Sequence, residues 1–177
     1  MTTAAAKKKR GPTPKGKEPK AGRPIMPALY GMGKHKKGTI KWADVCKKLE
    51  AAHNYWIATT RADGRPHAMP VWGFWVDGAV FFGTGRETIK GKNLARSGQA
   101  IVHLESGDDA VIIECNVSEV DLQNNTELRK RLDKLSEAKY KMPVVVEAAS
   151  AMFRAQPKVV LAWREKDFPV SATRFVF

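Results

Sequence analysis

The stretch "YWIATTRADGRPHAMPVWGFWVDGAVFFG", Tyr55–Gly83, decides the fold. Tyr55–Arg61 is rich in the aromatic and β-branched residues that fit a pleated, half-buried surface. An Asp-Gly pair follows at Asp63-Gly64, and a second at Asp77-Gly78 separates Pro66–Val76 from Ala79–Gly83. Asp-Gly tolerates the positive φ angles of hairpin turns, so the pattern predicts two consecutive hairpins and an antiparallel sheet. Pro70 has no N–H to give to a ladder, which predicts an edge or a bulge at that point.

Working outward, Trp42, Val45, Cys46, Leu49 and Ala52 recur at helical spacing and predict a helix before the first strand. After the second hairpin, Thr88–Arg96 reads as a short helix. "QAIVHLE" and "AVIIECNVSEV" then form a further hairpin around "SGDD". Thr126–Tyr140 carries Leu128, Leu132 and Leu135 on one helical face. Residues 143–155 read as helical in spite of a Val run, and "KVVLAW" and "SATRFVF" close the chain as strands. The expectation is a mostly β protein of six or more antiparallel strands with a few peripheral helices. Such strands avoid open edges by closing into a small barrel.

The charge is +13, yet residues 1–41 hold twelve of the 31 Lys/Arg and one of the 18 Asp/Glu, which supplies +11 of it. Residues 1–38 are mostly Lys, Pro, Gly and Ala. They cannot bury enough apolar surface to offset their ordering entropy and are expected to be disordered. The folded domain is expected over residues 39–177, nearly neutral. The tail allows non-specific contact with nucleic acid or another polyanion, although it lacks the interleaved aromatics that stack on bases. Two cysteines without zinc or redox spacing, no spanning apolar run and no secretory segment lead to the expectation of a cytoplasmic protein without membrane contact.

One loop is a candidate for chemistry. In "GTGRETIKGKNLA" (Gly83–Ala95), Lys90 and Lys92 crowd a helix N-terminus, where cations are normally disfavoured and anions favoured. Thr84 and Thr88 add hydroxyls, and Thr88 can also cap the helix. The residues alone leave two readings open, a phosphate site or a solvated basic turn. The aromatics Trp72, Phe74, Trp75, Phe81 and Phe82 lead into this loop and read mainly as core; Trp72, beside Pro70, is the candidate for a ligand wall. His67, His103, Glu105, Asp108 and Asp109 lack the fixed spacing of a metal site, and no hydrolase motif is present.

Taken together, "VFFGTGRETIKGKNL", "ATTRADGRPHAMPVWGFWVDGAVFF", "VHLESGDDAVIIE" and "SATRFVF" resemble the pyridoxamine 5′-phosphate oxidase superfamily, and within it the flavin/deazaflavin oxidoreductase branch. The resemblance covers about residues 42–120 and the C-terminal end. It implies a split β-barrel that pairs into a homodimer, with the cofactor at the interface. The cofactor implied is the deazaflavin coenzyme (coenzyme F-420), with FMN as the alternative. Thr84, Thr88, Lys90 and Lys92 fall on the family's phosphate-loop positions. The ring would lie against Met69, Pro70, Val71 and Trp72, and His67 and Arg174 occupy further cofactor-contacting positions. The family Arg between Thr88 and Lys90 is Ile89 here, with Arg86 the candidate substitute across the turn. The activity implied is hydride transfer to a small unsaturated or quinone-like substrate, with no general acid or base assigned. The alternatives are a non-catalytic carrier of a flavin-type cofactor or haem, and a nucleic-acid-associated protein.

Overall fold

A computed structural model describes residues 18–177. After a short strand β1 (Lys20–Gly22), the chain forms α1 (Trp42–Ala51), β2 (Asn54–Thr60), β3 (Pro66–Val76), β4 (Ala79–Gly85) and α2 (Ile89–Ser97). It continues through β5 (Gln99–His103), β6 (Asp109–Val120), α3 (Thr126–Tyr140), β7 (Ser150–Arg164), α4 (Phe168–Ser171) and β8 (Thr173–Val176). Strands run in the order β7-β4-β3-β2-β5-β6, and β6 pairs back onto β7, closing an antiparallel six-stranded barrel. β2, β3 and β4 form a meander, and β5 returns beside β2, the Greek-key arrangement.

The turns explain the hairpins. Asp77 and Gly78 both have positive φ, 49° and 78°, as a two-residue type I′ turn requires. The first hairpin uses a longer loop, closed by Arg61 N–H to Arg65 O at 2.9 Å, with only Gly64 at positive φ. Pro70 pairs with Trp56 on β2. The β3–β4 ladder begins only at Gly73–Phe82, so Pro70 lies on a half-strand with a free edge, as its missing N–H demands.

Two apolar layers hold the sheet. Inside the barrel, Tyr55, Ile57, Val80, Phe82, Val102, Ile113 and Phe175 are fully buried, with α1 plugging one end through Val45 and Leu49. On the outer face of β3 and β4, Phe74 and Phe81 pack beneath α3 through Leu132 and Tyr140. The leucines of α3 divide: Leu132 is buried, whereas Leu135 is 40% exposed.

Two sequence expectations are corrected. Residues 143–149 are irregular, and Ser150 begins a 15-residue strand instead of continuing a helix. The strand wins because β7 is buried on alternate positions between β4 and β6 and supplies a ladder to both. The segment expected to be disordered through residue 38 is also held in place from β1 onward. β1 pairs with β8, and Arg23 donates to the carbonyls of His35, Lys37, Val170 and Ala172. Composition misses this because backbone groups and one guanidinium, not apolar side chains, make these contacts. Residues 1–17 of that expectation lie outside the described residues.

Leu132 and Leu135 look alike in the sequence, yet their truncations should differ. Leu132→Ala should cost about 2–5 kcal/mol in urea unfolding, and Leu135→Ala less than about 1 kcal/mol. Equal losses would contradict the placement of α3.

Candidate functional site

The β4–α2 loop is built by its own backbone. Thr88 caps α2, its Oγ1 accepting from Gly91 N–H at 3.1 Å and donating to Gly85 O at 2.7 Å. Thr84 Oγ1 lies 3.1 Å from Thr88 Oγ1. Gly91 packs so tightly under the loop that a Cβ there would sit 2.5 Å from Gly85 O and 2.7 Å from Arg86 O. This glycine therefore serves the loop's own packing. The N–H groups of Ile89 and Lys90, in the first turn, have no intrahelical acceptor and point out of the helix end.

The charges sort themselves around this end. Lys90 is half-buried and has no hydrogen-bond or ion-pair partner among the described residues; burial lowers its amine's pKa from the ordinary value. Lys92 is exposed and pairs with Glu87 at 2.9 Å. Arg86 does not extend the cluster. Its guanidinium donates to Ala148 O and Ser150 O, both at 2.5 Å, and pairs with Glu119. The expected substitute for the missing family arginine is instead a strut from the loop to β6 and to the start of β7.

The free half of β3 faces this loop. Its ladder with β4 ends at Gly73–Phe82; continued, it would set Val71 against Thr84, but the strands part there. Side chains alternate across a strand. Met69 and Val71 pair with Ile57 and Tyr55 and share their core-side face, as does His67 opposite Thr59. Met69 is nevertheless 45% exposed, because no strand covers it. α2 flanks the same seam, where Asn93 Nδ2 donates to Thr59 Oγ1 at 2.9 Å. The core-side face of β3, Thr84 and the α2 N-terminus thus border one open seam.

Pro70 and Trp72 point to the opposite face. Trp72 is 49% exposed, and its indole stacks on Tyr140 at 4.5 Å and 6°. Tyr140 is tied by its hydroxyl to Gly73 and to His53 O. Beside it, Lys139 donates to Gly73 O at 3.0 Å and lies over the Tyr55 and Tyr140 rings. Burial brings the Lys139 amine down to about 8. These α3 residues were not legible as site neighbours, since nothing in their spacing ties them to Trp72. Arg174 is placed apart from the loop: it stands opposite Leu161 on β7, whereas Thr84 stands opposite Ala151 near that strand's start.

Burial raises the Cys46 thiol to about 11 and the Cys115 thiol to about 12, so neither is a ready thiolate. Among the described residues, no three His, Cys, Asp or Glu side chains gather as a metal site would require. Nor is any helix among them long and apolar enough to cross a membrane.

Comparison with known proteins agrees with this architecture. The sequence profile of the family described as "Pyridoxamine 5'-phosphate oxidase" matches residues 44–164. No curated protein matches the chain. Among solved structures, the conserved hypothetical protein Rv2991 from Mycobacterium tuberculosis superposes with a TM-score of 0.62 at 20% identity, covering 75% of this chain and 89% of its own. A FAD-binding protein from Mesorhizobium loti does so with a TM-score of 0.54 at 18% identity, covering 78% and 96%. An F420 reductase gives 0.50 at 20% identity, covering 64% and 93%. At identities this low, the superpositions show a shared fold and nothing further.

Two measurements check the site's construction. Gly91→Ala should destabilise the protein by about 1–3 kcal/mol, because its methyl meets backbone oxygens that cannot move alone; an unchanged denaturation midpoint would contradict the packing. For Lys139, the sign follows from its lowered pKa. The folded state disfavours the charged amine, so its penalty is fully present below about 8 and is relieved as pH rises toward 10.5. Lys139→Met should therefore gain most over the wild type below pH 8, the advantage shrinking between pH 8 and 10.5. A pH-independent difference would show that the amine is not desolvated.

Proposed function

Because the chain belongs to the pyridoxamine 5′-phosphate oxidase family, we propose that it is an oxidoreductase carrying the deazaflavin coenzyme or FMN at a homodimer interface. Its substrate would be a small unsaturated or quinone-like molecule. The observation that carries this reading is Lys90, a half-buried cation without a partner among the described residues, at the first turn of α2 beside the open seam of β3. Burial without a counter-charge is unfavourable, and an anion at the helix end would offset it.

The residues present fit such a group. Lys90, the N–H groups of Ile89 and Lys90, and Thr84 would hold its phosphate through charge-assisted hydrogen bonds. Thr88 acts by capping the helix that presents those N–H groups. Lys92 contributes at longer range, its charge shared with Glu87. Met69 and Val71, with His67 further along the same face, would line the ring's approach. When bound, the flavin-type ring supplies the hydride chemistry, and the chain's groups bind and orient it. Pro70 and Trp72 lie on the other face of β3, so one ligand in the seam does not reach them. Arg174 joins the site only if a second copy of the chain supplies it. The alternative, a carrier without turnover, uses the same seam and differs only in what reaches the ring.

Titration with FMN and with the deazaflavin coenzyme, followed by fluorescence, tests the reading. Lys90→Ala should weaken the preferred ligand about 10- to 100-fold, the loss of one hydrogen bond to a charged group, while Lys92→Ala should weaken it less. Binding of neither ligand would overturn the proposal. Tight binding with no reoxidation by any acceptor would favour the carrier.

A further inference from the structure

Between the barrel and the N-terminal tail lies an arm, residues 24–37, whose surface has no role in the seam. Ile25 is 93% exposed and Leu29 82%, and Met26 and Tyr30 are exposed beside them. Isolated exposed apolar residues are ordinary, but these are four large ones within six positions. Lys34, Lys36 and Lys37 follow directly and have no ion-pair partner among the described residues. Glu18 is the sole acid in residues 1–41, and residues 1–17 add six more cations.

The arm is held, not loose. Arg23 fastens its base with hydrogen bonds of 2.6–3.2 Å to four carbonyls, two within the arm and two at α4. Gly31, at φ 64°, closes a 3₁₀ turn over Ala28–Tyr30, and the Tyr30 ring lies 6.1 Å from Phe168. Apolar tips on an arm fastened at its base, followed in the chain by lysines with no ion-pair partner among the described residues, match one partner chemistry well. A protein interface would need a shaped pocket for each protruding side chain, whereas a lipid surface receives protrusions anywhere. Lysines beside such tips are drawn to anionic headgroups.

We propose that the arm is a peripheral membrane-docking surface, in which Ile25 and Leu29 enter the acyl–headgroup boundary of an anionic bilayer and Lys34, Lys36 and Lys37 meet its phosphates. That no helix among the described residues is long and apolar enough to cross a membrane does not bear on this mode, because the contact lies in the plane of the interface. The inference is independent of the cofactor reading.

The test is co-sedimentation of the full-length protein with phosphatidylcholine vesicles and with vesicles containing phosphatidylglycerol. Binding should require the anionic lipid and weaken with salt. The double variant Ile25→Asp, Leu29→Asp should lower vesicle affinity by at least about tenfold, with an unchanged unfolding midpoint and unchanged cofactor binding. No binding to anionic vesicles at low salt would overturn the proposal. So would undiminished binding by the double variant, since the lysine-rich tail would then act alone. Conversion of a dimer to a monomer by the same substitutions would also overturn it, because a second copy would be what covers the tips. Preferential retention on duplex DNA that survives the substitutions would assign the charge to nucleic acid instead.

Discussion

β3 is eleven residues long, but β4 pairs with only its last four, from Gly73 to Val76. The open side of the barrel follows from that early parting of two strands. The first half of β3 keeps one edge unpaired and one core-side face uncovered, which leaves Met69 half exposed. Beyond the parting, β4 turns into α2, and the helix begins with its N–H groups at the mouth of the seam. Gly91 allows this turn to be tight, and Thr88 fixes its start. Arg86 straps it to β6 and β7. The first-turn N–H groups that the loop presents are thus a consequence of where a ladder stops.

Most of the barrel was legible from local signals. The Asp-Gly pairs, the alternating aromatic runs and Pro70 each state a backbone requirement that the structure meets in kind. What was not legible depends on distant partners. Residues 143–155 allow a helical reading locally, yet β7 becomes a strand because β4 and β6 both offer it hydrogen bonds. β1 forms for the same reason, on the edge of β8, from residues with almost no apolar content.

The site was legible as a set of residues and not as a geometry. Thr84 and Lys90 lie together at the β4–α2 loop, where the sequence also places them. Arg86 reads as a spare cation in the sequence, yet two carbonyls and Glu119 claim it. Met69–Trp72 reads as one wall, but a strand has two faces, and Trp72 belongs to the one that α3 covers through Tyr140. α3 therefore shapes the neighbourhood of β3 without entering the seam itself.

The central claim is that the seam between β3 and the start of α2 receives an anionic flat ligand, phosphate end on the helix. Backbone amide shifts of the isotope-labelled protein, followed during titration with FMN or the deazaflavin coenzyme, report this most directly. The account predicts the largest changes at Ile89 and Lys90, accompanied by Met69 and Val71, with Lys139 and Tyr140 little moved. Changes centred on Lys139 and Tyr140, or none near Lys90 at saturation, would contradict it.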